Sequence, residues 1–232
     1  MSINVPNQIT LARLLLTGVF FVLLSLYSAQ HGARDAWKLE WAFWVFLLAA
    51  LSDVVDGWLA RLLRQVTAFG RVVDPIVDKV MVCGAFVFFA SDVFYDPGRG
   101  QNLTGVAPWM VVVILLREFT VSAIRAFSEA RGVDFAARWE GKLKMFVQSA
   151  TVCVVLGVLA WYPQTLAWLR AACVWLTVAV TAWSILAYLK RGAGLFLARE
   201  ALADGAASED PLEEPPAAPI ASAPAPGGGP GR

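Results

Sequence analysis

Four aspartates carry most of the chemistry open to this chain. Asp53 and Asp56 fall in the run Asp53-Val-Val-Asp-Gly-Trp-Leu-Ala-Arg61, Asp74 and Asp78 in Gly70-Arg-Val-Val-Asp-Pro-Ile-Val-Asp78. The first pair is three residues apart and the second four, so on helices each pair projects from one face. Two consecutive antiparallel helices with a short connector bring such faces together. The resulting all-oxygen cluster cannot stay ionised at low dielectric without cations. Hard divalent ions, Mg²⁺ or Mn²⁺, meet that need, because they take carboxylate and water ligands and bind together with substrate phosphates. Two of them about 3.5 to 4 Å apart suit an in-line displacement at phosphorus. Gly57 and Ala60 lie about one turn beyond Asp53 and Asp56 and leave that face bare for a flat ligand, with Arg61 placed to bind a phosphate oxygen.

Each aspartate alone has a plainer reading, with Asp74 as a helix N-cap and Asp53 and Asp56 as interfacial charges paired to Arg61 or Arg64. The combination of carboxylates, glycines, a small alanine and an arginine points instead to a site. A cation carrier or channel using the aspartates as its ion site is the other functional class that fits. Against it, the acids lie toward one membrane face, and no Gly- or Pro-broken helices recur in two matching halves.

The elements that hold these residues are expected to span a membrane. The 232-residue chain is 58% hydrophobic and only 16% charged, with ten Trp, against a soluble average of about 25% charged. That identifies an all-α integral membrane protein. Six transmembrane helices are predicted: about 9–27, 39–62, 70–94, 106–127, 145–161 and 165–189, the last closed by Lys190-Arg191. Pro75 suits the first turn of the third, and Trp41, Phe43, Trp44 and Phe46 suit an interfacial aromatic belt on the second. The first hydrophobic run lacks a basic lead and a cleavage site, so it is expected to stay in the mature protein. Arg13, just inside it, either snorkels to the interface or faces a polar cavity. His31 is expected to be structural or solvated, with no carboxylate or cysteine at ligand spacing. Cys83, Cys153 and Cys173 read as reduced core or lipid-facing residues without metal or disulfide spacing.

Loop charges set the orientation. Arg61, Arg64, Arg71, Arg125, Arg131, Arg138, Lys142 and Lys144 gather on one side, and only Arg34, Lys38 and Arg99 on the other. The positive-inside bias makes the first side cytoplasmic, with both termini and the acidic motif facing it. Residues 1–203 are the expected membrane catalytic domain. The Ala/Pro/Gly-rich stretch 204–232 is expected to be a disordered cytoplasmic tail. The net charge of +1 gives no indication of nucleic-acid binding.

The spacing D-x2-D-G-x2-A-R-x8-G-x3-D-x3-D is met at Asp53, Asp56, Gly57, Ala60, Arg61, Gly70, Asp74 and Asp78. It resembles the signature of the CDP-alcohol phosphotransferase family, over roughly residues 5–192. The resemblance implies that family's six-span fold, a homodimer in the bacterial inner membrane, and transfer of a phosphatidyl group from CDP-diacylglycerol to an alcohol with release of CMP. It makes Asp53, Asp56, Asp74 and Asp78 ligands of two divalent cations, Mg²⁺ or Mn²⁺, with Asp78 also the base for the acceptor hydroxyl. Gly57, Ala60, Arg61 and Gly70 become the CDP-binding set.

The acceptor must be met elsewhere. Val5-Pro-Asn-Gln-Ile-Thr-Leu-Ala-Arg13, Arg117-Glu-Phe-Thr-Val-Ser-Ala-Ile-Arg125 and Gly141-Lys-Leu-Lys144 are similar to the bacterial members that take sn-glycerol 3-phosphate and make phosphatidylglycerol phosphate. Arg117, Arg125, Lys142 and Lys144 then form a basic pocket for the acceptor phosphate. Arg125, Lys142 and Lys144 also satisfy the positive-inside bias alone, and Glu118 has Arg117 or Arg125 as candidate partners. Inositol phosphate, then serine, are the alternative acceptors.

Overall fold

The computed structural model describes residues 5–63, 68–129 and 139–208, with side chains chiefly for residues 10–52 apart from Ala33, 76–127 and 143–188. The described chain is mostly helical, at 84%. The elements are α1 (Val5–Leu26), a 3-10 turn (Ala29–Arg34), α2 (Ala36–Leu63), α3 (Ala68–Phe89), a short 3-10 turn (Asp92–Phe94), the hairpin β1 (Tyr95–Asp96) and β2 (Gln101–Asn102), α4 (Pro108–Glu129), α5 (Trp139–Trp161) and α6 (Ala167–Ser208).

Among the described residues, the six α-helices correspond in order to the six expected spans. Two of their described segments, Leu143–Trp161 in α5 and Ala167–Tyr188 in α6, have the length and apolarity to cross a membrane, with a shorter apolar stretch at Thr10–Leu26. Their outer faces carry large apolar side chains in the open: Phe119, Phe146, Trp168 and Trp183 are each about 70% exposed. A water-facing surface rarely collects patches of this kind.

Several boundaries move. α3 begins at Ala68, so Pro75 is about two turns inside it and not in the first turn, and Asp74 is no N-cap. A proline there removes one ladder hydrogen bond and crowds the carbonyl four residues back, a cost of about 3 kcal/mol that packing must offset. α6 runs on to Ser208, past Lys190-Arg191, because its helix-forming composition continues through the expected stop. The chain divides into units 1–189 and 190–232. Residues 209–232 of the expected tail lie outside the described residues, as do Arg64, Arg131 and Arg138.

In the first unit α1 packs against both α2 and α3, α2 against α5, and α3 against α4 and α5. The core between them is aromatic and aliphatic: Phe20 and Leu24 of α1, Phe46 and Ala49 of α2, Phe86 and Phe89 of α3, Ile114 of α4 and Leu156 of α5 are essentially fully buried. α1 and α3 run parallel, since Arg13 meets Asp78 and, further along, Phe21 stacks on Phe88 at 5.6 Å. Gly84 permits that approach, because a methyl group there would overlap the Phe21 ring. The aromatic belt is mixed. Trp41 and Trp44 are exposed as expected, while Phe46 is buried and Phe43 packs on Trp161.

Helix ends away from the acidic motif are satisfied by side chains. Asn102 Nδ2 and Thr104 Oγ1 donate to the Phe89 carbonyl at the end of α3 (2.8 and 2.7 Å), and Lys38 Nζ donates to the Leu26 carbonyl at the end of α1 (2.7 Å). His31 is exposed, as expected, but does have a carboxylate in reach: Asp35, four residues on, lies 3.4 Å from Nδ1. Asp35 also meets Lys38 at 2.9 Å, and this hydrogen bond holds its carboxyl below the usual carboxylate range. The three cysteines are free and half-buried.

Candidate active site

Alternating helix directions bring one end of α1, α3, α4, α5 and α6 together, and polar side chains gather there. α4 supplies Arg117, Glu118, Ser122 and Arg125. The last three recur at four- and three-residue steps, so they share one face. Glu118 Oε1 accepts from Arg117 Nη1 at 3.3 Å and pairs with Lys144 Nζ of α5. All three are buried, with Lys144 only 2% exposed. Arg117 is held further by α6: its Nε and Nη2 donate to Ser184 Oγ at 3.2 and 3.0 Å, and its guanidinium lies 5.4 Å from the centre of the Tyr188 ring. This answers the question of Glu118's partner with Arg117 and Lys144.

Lys79, one residue after Asp78 on α3, donates to Ser122 Oγ at 2.6 Å, and Ser122 donates in turn to the Glu118 carbonyl at 2.6 Å. Arg125 is half-buried, and its Nε is enclosed without a hydrogen-bond partner among the described residues. On α1, Arg13 is fully buried and its Nη1 donates to Asp78 Oδ1 across 3.4 Å. Of the two expectations for Arg13, snorkelling is thereby replaced by the inward-facing one. Asp78 itself is half-buried.

The geometry thus joins Arg117 to Lys144 and places Asp78 and Arg125 at the same end. The side chains of Asp53, Asp56, Gly57, Ala60, Arg61, Gly70, Asp74 and Lys142 lie outside the described residues, so only their helices are fixed. Asp53, Asp56, Gly57, Ala60 and Arg61 belong to the last turns of α2, Gly70 and Asp74 to the first turns of α3, and Lys142 to the first turn of α5. Among the described residues alone no group of three metal-ligating side chains forms. The donor chemistry still fits hard divalent cations: carboxylates only, at helical spacings, near the end of one helix and in the first half of the next.

Sequence reasoning missed Lys79, Ser122, Ser184 and Tyr188. Lys79 carried a signal, a cation abutting the acidic motif. Ser184 and Tyr188 carried none, since a serine and a tyrosine four apart on an apolar helix are unremarkable until α6 packs on α4.

The sequence model of CDP-alcohol phosphatidyltransferase matches residues 3–192. A Mycobacterium tuberculosis protein named "Probable phosphatidylglycerophosphate synthase" is 36% identical over 150 residues, 64% of each chain. The chain thus spans 64% of that relative's length. Proteins of Pseudomonas fluorescens and Salmonella typhimurium, both named "CDP-diacylglycerol–glycerol-3-phosphate 3-phosphatidyltransferase", are 34% and 30% identical. Those alignments cover 81% and 84% of this chain and 89% and 97% of theirs.

Proposed function

The chain belongs to the CDP-alcohol phosphatidyltransferase family, and on that premise we propose that it transfers the phosphatidyl group of CDP-diacylglycerol to sn-glycerol 3-phosphate, giving phosphatidylglycerol phosphate and CMP. One observation carries the acceptor: the helix end that bears Asp78 also gathers Lys79, Arg117, Arg125 and Lys144. A phosphomonoester needs such a basic pocket, whereas serine does not. The names of the relatives agree with glycerol 3-phosphate and do not favour inositol phosphate. A cation carrier draws no support from the family match.

In this reading Asp53, Asp56, Asp74 and Asp78 hold two divalent cations, Mg²⁺ or Mn²⁺, which when bound neutralise the diphosphate and the charge developing on the departing CMP. Gly57, Ala60 and Gly70 leave room for the cytidine nucleotide, and Arg61 meets its diphosphate. Asp78 takes the proton of the acceptor hydroxyl as that oxygen attacks the phosphorus bearing the diacylglycerol. Arg13 positions the Asp78 carboxylate through its hydrogen bond. Arg117, Arg125, Lys142 and Lys144 meet the acceptor phosphate, with Glu118 fixing the first and last of these. The six helices span the bacterial inner membrane with both termini and the site cytoplasmic, a placement supported by the two long apolar segments and by the basic residues at the site's end. The protein works as a homodimer, and residues 204–232 are dispensable for the chemistry.

The test is CMP release by the purified full chain with CDP-diacylglycerol and Mg²⁺, offered glycerol 3-phosphate, inositol 1-phosphate or serine in turn. Release with glycerol 3-phosphate is expected. Preference for another acceptor overturns the acceptor assignment alone, and no release with any of them overturns the enzyme.

A further inference from the structure

Resting on the proposed use of a phosphomonoester acceptor, we propose that Lys79 is a direct ligand of the acceptor phosphate, acting with Arg125 and oriented by Ser122. Besides Arg13, which meets Asp78, the described cations at this end of the helices are Lys79, Arg117, Arg125 and Lys144, and they differ in how far the protein already answers them. Arg117 and Lys144 share the Glu118 carboxylate, and Arg117 also has Ser184 and the Tyr188 ring. A dianion approaching these two must displace or share a buried carboxylate. Like charges in a poorly solvated site repel strongly, which makes Arg117 and Lys144 the less responsive pair.

Lys79 and Arg125 are in the opposite position. The Lys79 ammonium donates to a neutral hydroxyl, Ser122 Oγ, at 2.6 Å, and no carboxylate among the described residues lies within ion-pairing distance of it or of Arg125. The Arg125 Nε is enclosed without a hydrogen-bond partner among the described residues. Ser122 and Arg125 are three apart on α4, on the same face. Ser122 therefore holds the lysine on the side where the arginine lies. Two cations gathered toward this face with no counter-anion among the described residues are stabilised by a phosphate dianion bridging them. The ammonium offers a compact point charge with three donors, and the guanidinium a fork, so the two together recognise a tetrahedral phosphate.

The position of Lys79 also suits the reaction. It follows Asp78 directly on α3, so a phosphate held by Lys79 tethers the short glycerol acceptor beside the carboxylate that takes its proton. The proposal is selective, because it assigns Lys79 to the acceptor and not to the nucleotide set of Gly57, Ala60, Arg61 and Gly70.

The experiment measures KM separately for glycerol 3-phosphate and CDP-diacylglycerol in the full chain and in Lys79→Ala, Lys79→Arg and Ser122→Ala, with direct binding of glycerol 3-phosphate by calorimetry. Loss of a charge-assisted hydrogen bond predicts a rise of about ten- to a hundredfold in KM and Kd for glycerol 3-phosphate in Lys79→Ala. KM for CDP-diacylglycerol stays unchanged, Lys79→Arg recovers most of the loss, and Ser122→Ala gives a smaller rise in the same parameter. Lys79 is exposed, so truncation leaves no cavity. Should Lys79→Ala still fail to fold, Lys79→Met keeps the aliphatic stem and removes only the charge. An unchanged KM for glycerol 3-phosphate, or a rise confined to CDP-diacylglycerol, overturns the assignment. A wild-type chain that ignores glycerol 3-phosphate overturns the functional reading instead, and the two failures are thereby distinguished.

Discussion

Replacing Glu118 by Gln preserves its shape and removes the one charge between two buried cations. Arg117 retains Ser184 and the face of Tyr188, but Lys144, 2% exposed, keeps no other described anion. Removing one partner of a buried ion pair costs about 3 to 5 kcal/mol, because the charge left behind remains desolvated. Against a total stability of about 5 to 15 kcal/mol, that is about a fifth or more. For a chain of this size each kcal/mol moves the midpoint by about 2 to 4 °C, so Glu118→Gln lowers Tm by roughly 10 °C. The ten Trp report unfolding by intrinsic fluorescence in detergent. The double variant Glu118→Gln with Lys144→Met removes the stranded charge as well, and is expected to recover at least half of the loss in a double-mutant cycle. A single-variant loss below about 1 kcal/mol, or strictly additive effects, refutes the reasoning that Glu118 is the internal counter-ion.

Gly84→Ala drives a methyl group into the Phe21 ring, which is fixed between Phe20 and Phe88; a loss of about 1 to 3 kcal/mol is expected in the same melts, and a neutral result refutes the close α1–α3 approach. Asp78→Asn is expected to retain CDP-nucleotide binding while turnover falls by about two to four orders of magnitude; retained turnover removes Asp78 as the base.

The departures from the expected pattern share a cause. Pro75 and Asp74 read as a helix start because local rules favour that position, whereas α3 already begins at Ala68 and runs through them. Arg13 was balanced between snorkelling and burial, since a single charge near the end of an apolar run satisfies both. Only a carboxylate on a helix distant in sequence, Asp78, decides it. His31 looked solitary because spacing carries little information in a polar connector, and only the folded turn brings Asp35 to it.

By itself the sequence determined the family and the helical elements, because both rest on local pattern: a fixed spacing of aspartates, glycines and arginine for the first, and long apolar runs between polar connectors for the second. What only the tertiary structure decided is which charges share an environment. Arg117, Lys144 and Glu118 look like separate residues on two helices until burial forces them to neutralise one another. Lys79 looks like part of the acidic motif until α4 presents Ser122 to it. Such partnerships depend on desolvation and on contacts between residues tens of positions apart, and neither is encoded in local spacing.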